Sequence, residues 1–239
     1  MINRILLISC CLLPLVTHAA DESAGPGGWK GEGALGFTST SGNTDSETLT
    51  ANLGIAKESG QWKHTAGLKV IQAETDNQES ADSIVLIARS EYALSDKSYV
   101  FGKIRHEDDE FSGFEYQNSI AFGIGSRLIA DEQHLLDMSI GLGARSLKDA
   151  QSGETEEDGI VTADLIYEYT ISETSKFGQT ISIEEGEENT HTESETSLKL
   201  QIDGNLSAKL AYLIKRNSEV PANTEKTDKI TTISLVYGF

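Results

Sequence analysis

From Trp29 onward, apolar residues recur at every second position, the period of a strand whose two faces differ. Leu49, Ala51, Leu53 and Ile55 alternate with Thr48, Thr50, Asn52 and Gly54. The pattern returns in Leu136, Met138, Ile140, Leu142 and Ala144, and in Val161, Ala163, Leu165, Tyr167 and Tyr169. No comparable helical stripe follows Val16. Turn residues between the runs divide the chain into twelve predicted strands, at residues 29–38, 47–57, 61–72, 83–93, 98–105, 115–129, 134–147, 160–171, 176–183, 194–202, 206–214 and 229–239. The fifth has no assignable facing, because Tyr99 and Phe101 share a parity with Lys103 and Arg105.

The predicted connections alternate in length. Those at 58–60, 94–97, 130–133, 172–175 and 203–205 are tight, whereas those at 39–46, 73–82, 106–114, 148–159, 184–193 and 215–228 are long. Short periplasmic turns and long outer loops are the habit of bacterial outer-membrane barrels, and an even strand number puts both termini on the periplasmic side. Trp29, Trp62, Tyr92, Tyr99, Phe101, Tyr169, Phe177, Tyr237 and Phe239 fall near the short-turn ends, where an interfacial aromatic girdle is expected. Ile233, Leu235, Tyr237 and Phe239 share one face of the final strand, and the sequence ends on that Phe. Tyr237 and Phe239 thus resemble the signal read by the barrel-assembly machinery.

These features have one physical cause. Within lipid every backbone N–H and C=O must pair internally, and a closed barrel does so without an edge. The expected fold is all-β, a closed antiparallel transmembrane β-barrel over residues 29–239, with outer-membrane lipid and lipopolysaccharide around it. Only half of each strand needs to be apolar, which accounts for a hydrophobic content of 38%.

The start of the chain sets the compartment. Arg4, an apolar run from Ile5 to Val16 and the small-residue stretch before Ala19 have the order of a cleaved secretory signal over residues 1–19. A short segment, 20–28, would precede the barrel. The apolar run is too short to span a membrane, which needs about 20 residues. Leu7-Ile8-Ser9-Cys10 resembles a lipoprotein processing box, but too few apolar residues precede it. Cys10 and Cys11 both leave with the signal, so the mature chain has no thiol for a disulfide or a metal site. Removal of Arg4 leaves 18 Lys and Arg against 38 Asp and Glu, an acidity that argues against nucleic acid as a partner. The six long connections hold 22 of those acidic residues and only 4 of the basic ones, so solvated acidic loops are expected.

The segment Gly36-Phe37-Thr38-Ser39-Thr40-Ser41-Gly42-Asn43-Thr44-Asp45-Ser46-Glu47-Thr48-Leu49 resembles the opening of the salt-induced outer membrane proteins, a barrel family of unknown function. Arg105 to Phe114 and Gly123-Ile124-Gly125-Ser126-Arg127-Leu128 are similar to the family's middle section. The resemblance implies an outer-membrane barrel with an envelope-structural or osmotic-stress role, and it transfers no catalytic residue and no cofactor.

Candidate chemistry is sparse. The inward parity carries Lys63, Lys69, Arg89, Arg127, Arg145, Lys199 and Lys209, with Glu91, Asp137, Asp164 and Glu168. Of these, Arg89, Arg127, Arg145, Asp137, Asp164 and Glu168 are the expected lumen-lining set. They would either pack as ion pairs or line a water-filled path for small solutes, since twelve strands lie between filled barrels and open porins. A lipid-acting enzyme would need a nucleophile and base on the outer face. His64 has the outward parity, but no motif pairs it with a nucleophile; His106, His134 and His191 read as turn or loop residues. Glu107 to Glu110 and Glu184 to Glu188 offer oxygen ligands without the spacing of a calcium loop, so loose divalent-cation binding is expected and no dedicated metal site.

Overall fold

The computed structural model describes residues 28–40, 46–76, 78–109, 112–221 and 224–239. The proposed signal, the segment 20–27, the Ser41-Gly42-Asn43-Thr44 turn and Glu110 lie outside the described residues. Twelve strands follow one another: β1 (Trp29–Thr40), β2 (Ser46–Ser59), β3 (Trp62–Thr75), β4 (Gln78–Ala93), β5 (Ser98–Asp109), β6 (Phe114–Ala130), β7 (His134–Asp149), β8 (Thr155–Ser172), β9 (Ser175–Glu185), β10 (Thr190–Asp203), β11 (Leu206–Asn217) and β12 (Thr227–Gly238). Each pairs antiparallel with its sequence neighbours, and β1 pairs with β12 to close the barrel.

The parity read from sequence decides which side chains point out. Leu35, Phe37, Ile124, Ile140, Leu142, Ile233 and Leu235 lie on the outer wall, each at least 57% exposed. In water this band would be a large apolar patch of the kind that drives association; in a bilayer it meets hydrocarbon. The interior is polar instead, with Lys103, Arg105, Glu107, Arg145, Glu184 and His191 all buried. The strand with no assignable facing is resolved by the same logic: Tyr99, Phe101, Lys103, Arg105, Glu107 and Asp109 face inward on β5, while Val100 and Ile104 face out.

Two expectations are corrected. Tyr99 and Phe101 do not belong to the aromatic girdle; they are 2% and 4% exposed inside the lumen. The girdle consists of outward rings such as Trp62, packed edge-on to Tyr92 at 5.0 Å, and Tyr169, stacked on His134 at 4.8 Å. The long acidic connections are also shorter than predicted. His106 to Asp109 continue β5, Thr155 to Asp158 begin β8, and Glu184, Thr190 and Lys215 lie within strands. β8 reaches 18 residues, whereas about 9–11 suffice to cross a bilayer. Above the apolar band both faces of the wall are polar, so hydrophobic alternation stops while the strands do not.

The β1–β12 seam differs from the rest. It is held from Glu32↔Gly238 to Gly36↔Ser234, and Gly31 and Phe239 exchange two backbone hydrogen bonds of 2.8 Å at the end that carries the termini. That makes six residue pairs, against eleven or more in every other seam, such as β8–β9 or β6–β7.

Candidate functional site

The lumen has a packed flank and an open one. The packed flank begins with glycines: inward Gly125 on β6 and Gly141 on β7 leave room for the large side chains of β5. A Cβ at Gly125 would lie 2.2 Å from the Tyr99 ring, and one at Gly141 would lie 3.1 Å from Phe101. On these rings sits Arg89, its guanidinium 3.8 Å from the Phe101 centroid. Cation–π contact of this kind holds the cation flat and leaves its N–H groups free to pair.

Arg89 uses four of the five. It donates to Glu91 at 2.9 Å, Asp164 at 3.1 Å, Ser139 at 3.1 Å and the Tyr99 hydroxyl at 3.2 Å. Tyr99 donates in turn to Asp137, and Arg127 lies 3.4 Å from Glu91 and 3.7 Å from Asp137. Asp164 also receives Lys103 at 3.1 Å and Ser182 at 2.7 Å. The lattice thus ties β4, β5, β6, β7, β8 and β9 across the barrel interior.

A second layer lies nearer the far end. One nitrogen of Arg105 donates to Glu107 at 2.6 Å and Glu193 at 2.7 Å and lies 3.2 Å from His191. Lys215 completes it, bonding Glu107 and Asp109. Glu107, His191 and Glu193 have the spacing of a metal-ligating cluster, but the Arg105 nitrogen occupies their common point, so a guanidinium supplies the positive charge. His191 and Glu107 are therefore wall residues with assigned partners, not the solvated loop residues expected. Burial of such groups requires this degree of pairing.

Arg145 fastens the far end. It donates to Asp158 at 3.0 Å and to the Asn189 carbonyl at 2.6 Å, and so holds the turn between β9 and β10 against the wall. The Asn189 side chain accepts from the Glu219 backbone N–H at 3.2 Å, and Gly113 packs under Pro221, where a Cβ would sit 2.7 Å from the proline ring. The β9–β10 turn and the start of the β11–β12 loop, through Glu219 and Pro221, therefore meet at the far mouth over the packed flank.

Among the described residues, three cavities border what remains. The first, of about 380 Å³, opens among Lys63, Glu91, Arg127, Glu168 and Asp164 toward the termini end. The second, of about 290 Å³, shares Lys69, Ile87, Glu193, Glu195 and Leu213 with it. Its walls are small or apolar, with Ala34, Ile71, Val85, Ala211 and Ile230. Across it Glu195 accepts from Lys209 at 2.7 Å and pairs with Lys69 at 3.6 Å. The third, of about 290 Å³, shares Ile71 and Ile230 with the second and is lined by Glu74, Ser80, Asp109, Asp228 and Lys229. Of the expected lumen-lining set, Arg89, Arg127, Asp137, Asp164 and Glu168 border the first cavity, whereas Arg145 borders none of the three. Lys103, Arg105, Glu193 and Glu195 were not in that set. Glu193 and Glu195 carry the inward parity of β10, a strand whose inner and outer faces are both largely polar.

The outer face holds one feature the sequence did not reveal. His64 Nδ1 lies 2.9 Å from Ser90 Oγ, its directly opposed neighbour on β4. The residue opposite His64 on the other side is Lys57. No carboxylate orients His64 among the described contacts, so the pair is a cross-strand hydrogen bond beside Trp62.

A polar interior inside an apolar outer band defines a transmembrane β-barrel of the bacterial outer-membrane class. The chain belongs to the family described as protein of unknown function, DUF481, whose model matches residues 33–239. It is 28% identical over 209 residues to the uncharacterized protein YdiY of Escherichia coli K12, covering 85% of this chain and 80% of that protein. A family of unknown function was the expectation from the segment opening at Gly36. Among solved structures, an outer membrane channel from Pseudomonas putida F1 superimposes with a TM-score of 0.55 at 10% identity, over 92% of this chain and 98% of the other. The NanC porin gives 0.52 at 11% identity, over 87% and 97%. At those identities the likeness shows the barrel fold.

Proposed function

We propose that the protein is a narrow solute channel of the outer membrane, with its termini in the periplasm and a path that enters among β3 to β11 at the termini end and continues along β1–β4 and β10–β12. The observation that carries this reading is the row of three abutting cavities from the termini end to the far end, while the other flank is filled by ion pairs. A channel and a porin among the barrels of like fold are consistent with it. Charge rings beside low-dielectric walls bias ion passage, so Lys69, Glu195 and Lys209, which face each other across the second cavity, set the selectivity.

Planar-bilayer recording tests this. Wild type should give discrete conductance in potassium chloride, and Lys209→Glu should shift the reversal potential toward cations. Arg145→Ala should change conductance less than Arg127→Ala, because Arg127 borders the path. A folded barrel that never conducts would overturn the channel and leave the envelope-structural or osmotic role, which the cross-braced interior supports. Without an orienting acid beside His64, purified protein should release no fatty acid from phospholipid.

A further inference from the structure

We propose that the upper part of the β1–β12 seam is a lateral portal through which an anionic amphiphile, a single apolar chain with an ionised head, passes between the lumen and the outer leaflet. The proposal rests on the channel reading and adds to it the exit and the class of solute.

The seam is registered only as far as Gly36↔Ser234. Beyond it, Phe37 to Thr40 of β1 remain paired to β2, and Thr227 to Ile233 of β12 remain paired to β11, but the two edges have no registered pair with each other among the described residues. The third cavity lies at this level, against the unregistered stretch of β12. It is lined by Ile230 and Asp228, which point inward, and also by Thr231 and Lys229, which have the outward parity of Ile233.

The level of the opening fixes its chemistry. Phe37 and Ile233, 59% and 60% exposed, put its lower lip within the outer apolar band. Unpaired backbone facing hydrocarbon is costly, so the two edges require water or polar groups supplied from the lumen. A slot wet from inside and oily outside suits a molecule that is itself half polar. The second cavity, directly behind the slot and walled by Ala34 of β1 and Ile230, Thr232 and Ser234 of β12, matches such a solute. Ile71, Val85, Ile87, Leu213 and Ile230 offer a chain an apolar wall, and the two lysines sharing Glu195 offer an anionic head a net positive one.

The mature chain lacks cysteine, which makes the seam testable by crosslinking the purified full barrel. Extending the register places Thr38 opposite Thr232. The double variant Thr38→Cys with Thr232→Cys should form a disulfide far more slowly than Leu35→Cys with Leu235→Cys, a pair in the registered part of the seam. A short bifunctional methanethiosulfonate should bridge the upper pair. The probe is dansyl-undecanoate, whose fluorescence rises on entering an apolar site. Wild type should bind it saturably, closing the upper pair should weaken binding by about ten-fold or more, and reduction should restore it. The Leu35/Leu235 crosslink should leave binding intact, and heat-modifiability on gels reports that each variant is folded. Equal disulfide rates for the two pairs would show a zipped seam and overturn the portal, as would binding unchanged by closure. Normal potassium chloride conductance without saturable dansyl-undecanoate binding would overturn the amphiphile portal while the channel stands. Absence of conductance would instead remove the channel itself.

Discussion

Glycine and arginine decide the interior residue by residue. Gly125→Ala places a methyl group where Tyr99 now lies and should cost about 1–3 kcal/mol in urea unfolding from detergent, as overpacking does. The cost should shrink when Tyr99→Ala is combined with it, which separates the steric effect from any intrinsic glycine preference. Arg105→Leu leaves Glu107 and Glu193 without their shared counter-charge, and loss of one partner of a buried pair should cost about 3–5 kcal/mol by the same measurement. At this scale the sequence was only partly legible. The inward parity of Arg89 could be read from β4, where apolar neighbours mark the other face. Tyr99 and Phe101 read as girdle residues from position alone, because their inward destination depends on Gly125 and Gly141 in other strands. Nothing local marks an aromatic as inward when charged residues share its parity.

Strands and turns form the next scale. All twelve strands were legible as periodic runs, but their far ends were not, since above the membrane band a barrel wall is polar on both sides and period-2 hydrophobicity carries no signal. A buried charge, such as Glu107 or Glu184, looks in sequence like a solvated one. The turns at the other end follow local chemistry more faithfully. In the turn between β6 and β7, Asp131 accepts the backbone N–H groups of His134 at 2.7 Å and Gln133 at 2.9 Å. The His134 amide first and then the Gln133 amide favour the carboxylate and hold Asp131 below its usual range. A group depressed in this way stabilises the fold above the unfolded-state value, and the contribution is lost as pH falls through the depressed one. Asp131→Ala should therefore lower the urea midpoint at neutral pH, and its difference from wild type should vanish in acid. A difference independent of pH would remove the carboxylate from the explanation.

For the whole molecule, orientation is the quantity to fix. Cysteines at Ala150 and Glu187, both exposed at the far end, should react with an impermeant reagent on intact cells, while one at Ser59 should not. Glu187 is preferable to Gly186, where a side chain would collide with Asp158 and Arg145. The opposite pattern would invert the barrel and sink the periplasmic placement of the termini. Closure and strand number were legible because each hairpin repeats the same signal. The division into a braced flank and an open one was not, because it depends on which inward residues meet across the lumen.

Closure at Phe239 also bears on the order of folding. Eleven of the twelve seams join strands that are adjacent in the chain, so each can form over a short loop; the β1–β12 seam joins Gly31 to Phe239. Its loop is nearly the whole barrel, and loop entropy grows with length while non-local pairing slows folding. An unclosed sheet with two free edges should thus be the slow-lived intermediate of assembly. The Phe239 ring lies over Gly31, where a Cβ would approach it to 2.5 Å, so a residue at the far end of the barrel sequence seats its first strand. Deleting Phe239 should lengthen the life of the open sheet, seen in pulse-chase gels as slower appearance of the heat-modifiable band, with little change in the eleven hairpins already formed.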